Sequence, residues 1–564
     1  MARQELFILI SLGFLIFEII FIRSSFLFGR PIGILTLIIS FFLYSLALIF
    51  LFTSIPNQRQ RLTGYISFFA FILCILSLSF LSFPLAKTYD TSWDGQGYHQ
   101  TAVIALAQGW NPMRESSIHL IRKLPSQIFA EGYPSALWEI EASIYALTGT
   151  INSAKVINLF IAIIAGVMVY LLLRKLSFGP VFSSIVSFLL VMQPVYLLQV
   201  LTFMQDGFGY ELLLIALSSL IIVALAPKSF YSVGIFCLAE LLLVSTKYSH
   251  LPVALFLGVI FLLLVSNRFL NHEYRFTLQT KIALVGFLVI AFIFASLPYL
   301  RNAIVHKALF YPTNITELMG SVRYNNVPIN LGEKDKFTLL FYGIFSKAQS
   351  QESGDPRNEK NIAELKIPFT FSFNEVRDSA TLYNNRVGAG GPLFSGLVTV
   401  TLIALIIVSF MVQTRKQRYA LYATYFCLST IVALALLAPT PNLLRYVNQL
   451  QILPFIIIVF IAARFKNVYS KVFIATLVAL ISLNTFIYAT SVFERNVQET
   501  MILNKQLNEM KNSGAVYHVR AQHFYSSYLL LSEHNIPFVA VDTLRCRDIH
   551  QIVLASTSTQ FCIK

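Results

Sequence analysis

Asp90 and Asp94 lie in a polar stretch, Thr-Tyr-Asp-Thr-Ser-Trp-Asp-Gly-Gln-Gly-Tyr-His over 88–99, that interrupts long apolar blocks. A carboxylate can act as general base, taking the proton from a hydroxyl while that oxygen attacks an electrophilic carbon. At the mouth of a membrane span, partial desolvation raises a carboxyl pKa toward the range where it accepts a proton. Gly95 and Gly97 suggest a tight backbone turn. Residues 98–109 then carry apolar side chains at helical spacing, so the acids stand where a helix begins. The same placement also suits plain N-capping, and both readings stand for Asp90 and Asp94.

The elements that must hold these acids are set by composition. Of 564 residues, 56% are hydrophobic and only 12% charged, which excludes a soluble globular class. Mean hydropathy is +0.69. Apolar blocks long enough to cross a bilayer fall near 5–22, 31–54, 63–86, 154–173, 180–200, 208–226, 231–246, 250–267, 282–299, 393–413, 419–438, 446–463 and 471–490. The expected fold is therefore an all-α polytopic membrane protein of about 13 transmembrane helices. The first block lacks a small-residue cleavage site and reads as a span.

Basic residues orient the chain. With the N-terminus cytoplasmic, Arg59/Arg61, Arg174/Lys175, Lys228, Arg268/Arg275/Lys281, Arg415/Lys416/Arg418 and Arg464/Lys466/Lys471 all fall in short loops on one side. The net charge of +15 is thus a topological signal, and no nucleic-acid partner is expected. The long segments 87–153 and 300–392, with the tail from 491, fall on the opposite face. Counting 133–148 as a span would invert every later loop. With Trp138, Glu139, Glu141 and Tyr145, it reads instead as an extracytoplasmic interfacial amphipathic helix. Residues 337–348 suggest a helix and 349–361 a mobile stretch. The tail reads as a small α/β unit, helical over 494–512 with a strand at 537–541. Three parts follow: an N-terminal hairpin, 1–62; a transmembrane module, 63–490; and a C-terminal extracytoplasmic unit, 491–564. Cys74, Cys237 and Cys427 sit in apolar blocks, while Cys546 and Cys562 can form a disulfide in an oxidising compartment.

Several short motifs recur in order along these elements: Asp94-Gly-Gln-Gly-Tyr98, residues 105–112, Gly132-Tyr-Pro-Ser-Ala-Leu137, Thr202-Phe-Met-Gln-Asp206, Ser245-Thr-Lys-Tyr248, Pro298-Tyr-Leu-Arg-Asn302 with Phe310-Tyr-Pro312, and Leu444-Arg-Tyr446. Together they resemble the GT-C superfamily of polyprenyl-phosphate-sugar-dependent membrane glycosyltransferases, of the mannosyltransferase or aminoarabinose-transferase type. Two extra spans before the acidic loop and Tyr-Pro-Ser at 133–135 depart from that pattern. The resemblance implies that Asp94 is the catalytic base, with Asp90 the fallback. Asp206, opening a span on the same side, would orient the acceptor, or merely cap its helix. The leaving group would be a lipid phosphate, whose charge needs cations. Lys247, Arg301 and Arg445 are the candidates, with His250 as helper, while headgroup snorkelling is the plain alternative for Arg301. An unpaired ammonium at Lys247 would be costly, so an anionic partner is expected there. Glu240, seven residues earlier, shares its helical face and either pairs with it or is a protonated, hydrogen-bonded core residue. Tyr98, His99, Asn302 and Tyr446 complete the expected substrate-binding set.

His99 and His119 do not match a metal-ligand spacing. No dedicated metal site is expected, and a loosely bound divalent cation near Asp94 is left open. The implied activity is transfer of a sugar from a polyprenyl-phosphate donor to a lipid, glycan or protein acceptor on the extracytoplasmic face. Glycines Gly388, Gly390 and Gly391 suggest that 300–392 gates access. The short loops favour a bacterial inner membrane. A transporter or flippase of lipid-linked sugars is the main alternative, but neither inverted repeats nor broken spans in matched halves are evident. A non-catalytic scaffold is the third reading.

Overall fold

The computed structural model describes residues 2–119, 124, 126–226, 230–270, 278–312, 326–348, 362–376, 386–388, 390–544, 552–555, 557 and 559–563. Its helices, in chain order, are α1 (Ala2–Leu27), α2 (Thr36–Thr53), α3 (Gln58–Ala86), α4 (Gln100–Ala107), α5 (Gln127–Gly132), α6 (Ala136–Thr148) and α7 (Val156–Lys175). Then follow α8 (Pro180–Val191), α9 (Pro194–Gln199), α10 (Asp206–Leu225), α11 (Phe230–Thr246), α12 (Leu251–Leu270) and α13 (Leu278–Val305). The last are α14 (Lys336–Phe345), α15 (Phe394–Met411), α16 (Arg415–Leu437), α17 (Leu453–Arg464), α18 (Val468–Ser513) and α19 (Ser526–Glu533).

Ten helical segments among the described residues are long and apolar enough to cross a bilayer, and the chain is an integral membrane protein. The remaining expected spans, 180–200, 231–246 and 446–463, hold shorter apolar helices. Burial sorts the long helices into an inner and an outer set. The apolar window of α1 or α10 is 78% buried, whereas that of α2 is 11% buried and presents its side chains outward.

Charge at the buried end of α1 sets the surroundings of 133–148. α6 forms there as expected, but Trp138, Glu139 and Glu141 are fully buried. Arg23 of α1 pairs with Glu139 at 2.9 Å, with both side chains wholly inaccessible, and Ser135 donates to the same carboxylate at 2.5 Å. The carboxylate therefore faces a guanidinium rather than the headgroups. Glu5 of α1 similarly pairs with Lys175 of α7 at 2.5 Å. A boundary at residue 62 thus divides the sequence but not the core, since α1 shares one apolar cluster with α7, α10 and α11.

The tail helix predicted over 494–512 is the far end of α18, a continuous helix of 46 residues. At 1.5 Å per residue it runs roughly 70 Å, about twice the hydrocarbon thickness, so the last span projects beyond the bilayer as a post. A small sheet sits at its end: β1 (Tyr517–Arg520), β2 (Phe538–Ala540), β3 (Ile552–Val553) and β4 (Gln560–Ile563), in the order β2-β1-β4-β3. β1 pairs parallel to β2 and antiparallel to β4. Cys562 is disulfide-bonded, Cys74, Cys237 and Cys427 are free, and Cys546 lies outside the described residues. Leu503, Leu507, Val519, Tyr525 and Phe561 of the tail pack in one cluster with Tyr98, Ala102 and Trp138. The tail and the first long loop therefore share a core.

The expected mobile stretch 349–361 lies outside the described residues, as do Lys228 and Arg275. The glycines proposed as a gate are buried at close backbone approaches. Gly388 (φ +71°) packs against the Ala348 backbone and Gly391 (φ +93°) against the Asn484 amide, where any side chain would collide. In this structure they let the loop pack closely against its neighbours.

Removing Arg23 alone leaves a buried, unpaired carboxylate. Arg23→Met should lower stability in detergent by about 3–5 kcal/mol, and Arg23→Met with Glu139→Leu should recover most of it. Reversible denaturation of the two variants checks this.

Candidate functional site

Asp90 and Asp94 point to opposite tasks. Asp90 Oδ1 accepts from the Ser92 backbone at 2.8 Å and the Ser92 hydroxyl at 2.7 Å, and Oδ2 accepts from the Phe203 backbone at 2.8 Å. Both oxygens are used, tying the acidic stretch to the chain ahead of α10. A Cβ at Gly95 would collide with Asp90 Oδ2, so Gly95 is required by the close approach of a carboxylate rather than by a tight turn. Residues Gly95–His99 form a π-helical turn that runs directly into α4. Such turns are frequent at functional sites.

Asp94 precedes that turn and makes no capping hydrogen bond. Its Oδ2 instead accepts from Arg445 at 2.7 Å. Arg445 also lies 3.9 Å from Asp206 Oδ2, and Lys247 pairs with Asp206 Oδ1 at 2.5 Å. Charges therefore alternate, Asp94–Arg445–Asp206–Lys247, from four distant parts of the chain. Asp94 is the most open member, with 19% of its side chain exposed against 2% for Asp206. Tyr446 backs both cations: Arg445 lies 4.9 Å and Lys247 5.7 Å from its ring centroid, and Arg445 donates to its hydroxyl at 3.2 Å.

Local structure explains why these side chains converge. Lys247 follows α11 in extended backbone (φ −155°), which turns it away from the helical face of Glu240. The predicted Glu240–Lys247 pair is consequently replaced by Lys247–Asp206. Asp206 sits in the first turn of α10. There Gln199 Oε1 accepts from the Gly207 backbone at 2.6 Å, and Asn448 donates to the Asp206 carbonyl at 3.1 Å. Gln199 and Asn448 carry no sequence motif that marks them. His250 packs on Gly209, where a Cβ would collide with its ring.

The other candidates divide between this cluster and its supports. Tyr98 is buried beside Asp94 and packs against His99 (4.3 Å between centroids) and edge-to-face against Tyr133 (5.7 Å). His99 Nδ1 accepts from Trp138 Nε1 at 2.8 Å, which requires the neutral ring. Arg301 stands apart, donating to the backbone carbonyls of Glu131 (2.7 Å), Glu115 (3.0 Å) and Ser116 (3.0 Å) over the Trp110 ring. Asn302 donates to the Gly132 carbonyl at 2.6 Å and the Tyr248 hydroxyl at 2.8 Å. Both fasten the first long loop to α13 and do not reach the charge cluster. His119 is exposed, 3.9 Å from Glu115.

Burial pushes the Asp94 carboxyl up, but the Arg445 charge and hydrogen bond, with the Lys247 charge, outweigh it and hold Asp94 below the usual range. Burial raises Asp90, against its hydrogen bonds from Ser92 and Phe203. Burial, then the Lys247 charge, depresses His99 to about 3. Arg445, despite burial, is held charged by Tyr446 and the two aspartates. The described residues contain no group of three metal-ligating side chains. The nearest charged neighbours of Asp94 are cations, so this donor set does not suit a divalent ion, and no step is routed through one.

Compared with protein-family models, curated proteins and solved structures, the chain matches none. The site therefore stands on its own geometry. A cavity of about 20 Å3 lies beside Arg445, Tyr446, His250 and Asn448, large enough for about one water molecule.

Because His99 titrates near 3 when folded and near 6.5 when unfolded, the unfolded chain binds the extra proton between those values. Stability from this residue is full above about pH 6.5 and falls as pH drops toward 3. His99→Gln should flatten the fall in Tm between pH 7 and pH 4, measured against wild type in the same detergent.

Proposed function

We propose that the protein is a GT-C-type glycosyltransferase that uses a polyprenyl-phosphate sugar donor. The observation that carries this reading is the cluster Asp94–Arg445–Asp206–Lys247, which sets a partly open carboxylate beside two buried cations at the ends of membrane helices. In this reading thirteen helices span the bilayer, counting the three shorter ones. The N-terminus is cytoplasmic, and the site and tail face the extracytoplasmic side of a bacterial inner membrane. The one-sided basic loops and the disulfide at Cys562 support that orientation.

The resting cluster is electrically balanced, two carboxylates against two cations. A donor phosphodiester adds one negative charge and competes for Arg445 and Lys247. Losing its share of Arg445 frees Asp94 and raises its proton affinity, so the donor itself creates the base. Asp94 then takes the acceptor hydroxyl proton as that oxygen attacks the anomeric carbon from the face opposite the phosphate. The C1–O bond breaks, its electron pair leaves with the polyprenyl phosphate, and the configuration inverts. Arg445 and Lys247 stabilise the charge that develops on the leaving phosphate. Asp206 remains between the two cations and keeps them in place, while Tyr98 and His99 line the Asp94 side. The acceptor is a lipid, glycan or protein hydroxyl or amine.

Transfer of radiolabelled sugar from lipid-extracted donor pools tests the reading. Asp94→Asn should lower transfer by about 10²–10⁴-fold while donor binding persists. Equal transfer by wild type and variant would remove Asp94 from the mechanism. Movement of lipid-linked sugar across liposomes without any transfer would favour a flippase.

A further inference from the structure

A second polar cavity opens between the first long loop and the tail. Its volume is about 380 Å3, by far the largest of the cavities noted here, and within the range of small-molecule sites. Lys87, Tyr89, Asn152, Asn504, Glu533 and His534 line it. The Tyr89 hydroxyl bridges Asn504 Oδ1 and His534 Nε2, each at 3.1 Å, which fixes one wall. Glu533 uses one carboxylate oxygen for the Ile151 backbone. Its Oε1 is buried without a partner among the described residues, and so is Asn152 Oδ1, although Asn152 is only 4% exposed. A smaller cavity shares Tyr89, Asn152 and Glu533 and continues inward to Asp90, Gln96 and Gln100.

Buried acceptors without donors are costly, so an occupant must bring hydrogen-bond donors. Water can fill the space, which equals the share of roughly a dozen liquid waters. The same volume holds roughly one or two sugar rings, whose hydroxyls donate and accept around their whole edge. Lys87 and Glu533 both line the cavity and offset one another in charge, which suits a neutral ligand. We infer that this cavity between the tail and the first long loop is a binding site for a neutral, hydroxyl-rich sugar unit. It is separate from the Asp94 cluster and stands whether or not Asp94 catalyses transfer. Shared packing of the tail and first loop in one core makes the cavity a built feature of the fold. Ser526, which lines the smaller cavity, donates to the Gln96 carbonyl at 3.2 Å, so that cavity abuts the π-helical turn.

The test is saturation-transfer NMR of the full chain in lipid nanodiscs, with maltose, cellobiose and chitobiose as probes and glycerol as competitor. Wild type should bind at least one disaccharide, and glycerol at equal concentration should not displace it. Glu533→Met and Tyr89→Phe should each weaken that binding at least ten-fold, whereas Asp94→Asn should leave it unchanged. Tyr89→Phe removes a single oxygen and carries the test should Glu533→Met unfold. No binding of any probe to wild type overturns the inference. So does binding that survives both cavity variants, or binding that Asp94→Asn abolishes, because the sugar would then lie elsewhere.

Discussion

Four buried or half-buried charges at the edge of an apolar bundle set the terms for everything around them. A lone carboxylate or guanidinium at that depth is costly, and these four are tolerated because each has an opposite charge within about 4 Å. Asp206 is the centre of the arrangement. It holds Lys247 directly and Arg445 at longer range, and its own backbone is fixed by Asn448 and, through Gly207, by Gln199. With Asp206 already saturated, Arg445 has one further carboxylate to reach, and that is the more exposed Asp94. The chemistry proposed for Asp94 follows from this asymmetry: one partner is locked and the other can be released by a competing anion.

A second set of polar contacts holds the first long loop so that Asp94 stays in reach. Asp90 spends both oxygens on backbone and hydroxyl donors, Lys155 donates to the Thr88 carbonyl at 2.6 Å, and Arg301 gathers three carbonyls of the same loop. Most of these contacts are buried or part-buried, where each replaces lost hydration. From outside, the tail reaches over the π-helical turn. The loop is therefore clamped by the segment ahead of α10, by α13 and by the tail, with Asp94 left facing Arg445.

Much of the helical frame was legible from sequence because a bilayer demands long apolar runs, and thirteen such runs all contain helices. The need of Lys247 for an anionic partner was also legible, from the cost of a buried ammonium alone. Which anion it finds was not, because a single break from helix to extended backbone at Lys247 exchanges Glu240 for Asp206. The burial of α6 was not legible for a related reason: its charges imply water until Arg23, more than a hundred residues earlier in the chain, is known to face Glu139. Arg301 and Asn302 belong to short motifs that suggested substrate contact, yet their donors are consumed by loop carbonyls. Local patterns describe elements well, but partners contributed from far along the chain decide which charged groups remain free to act.

In the proposed mechanism a lipid phosphate displaces Asp94 from Arg445. A cryo-EM map of the protein in nanodiscs with a bound polyprenyl phosphate would show this displacement. Phosphate density is expected within hydrogen-bonding reach of Arg445 and Lys247, with the Asp94–Arg445 contact opened from 2.7 Å and Asp206–Lys247 intact. Phosphate bound elsewhere, with the Asp94–Arg445 pair unchanged, would contradict it.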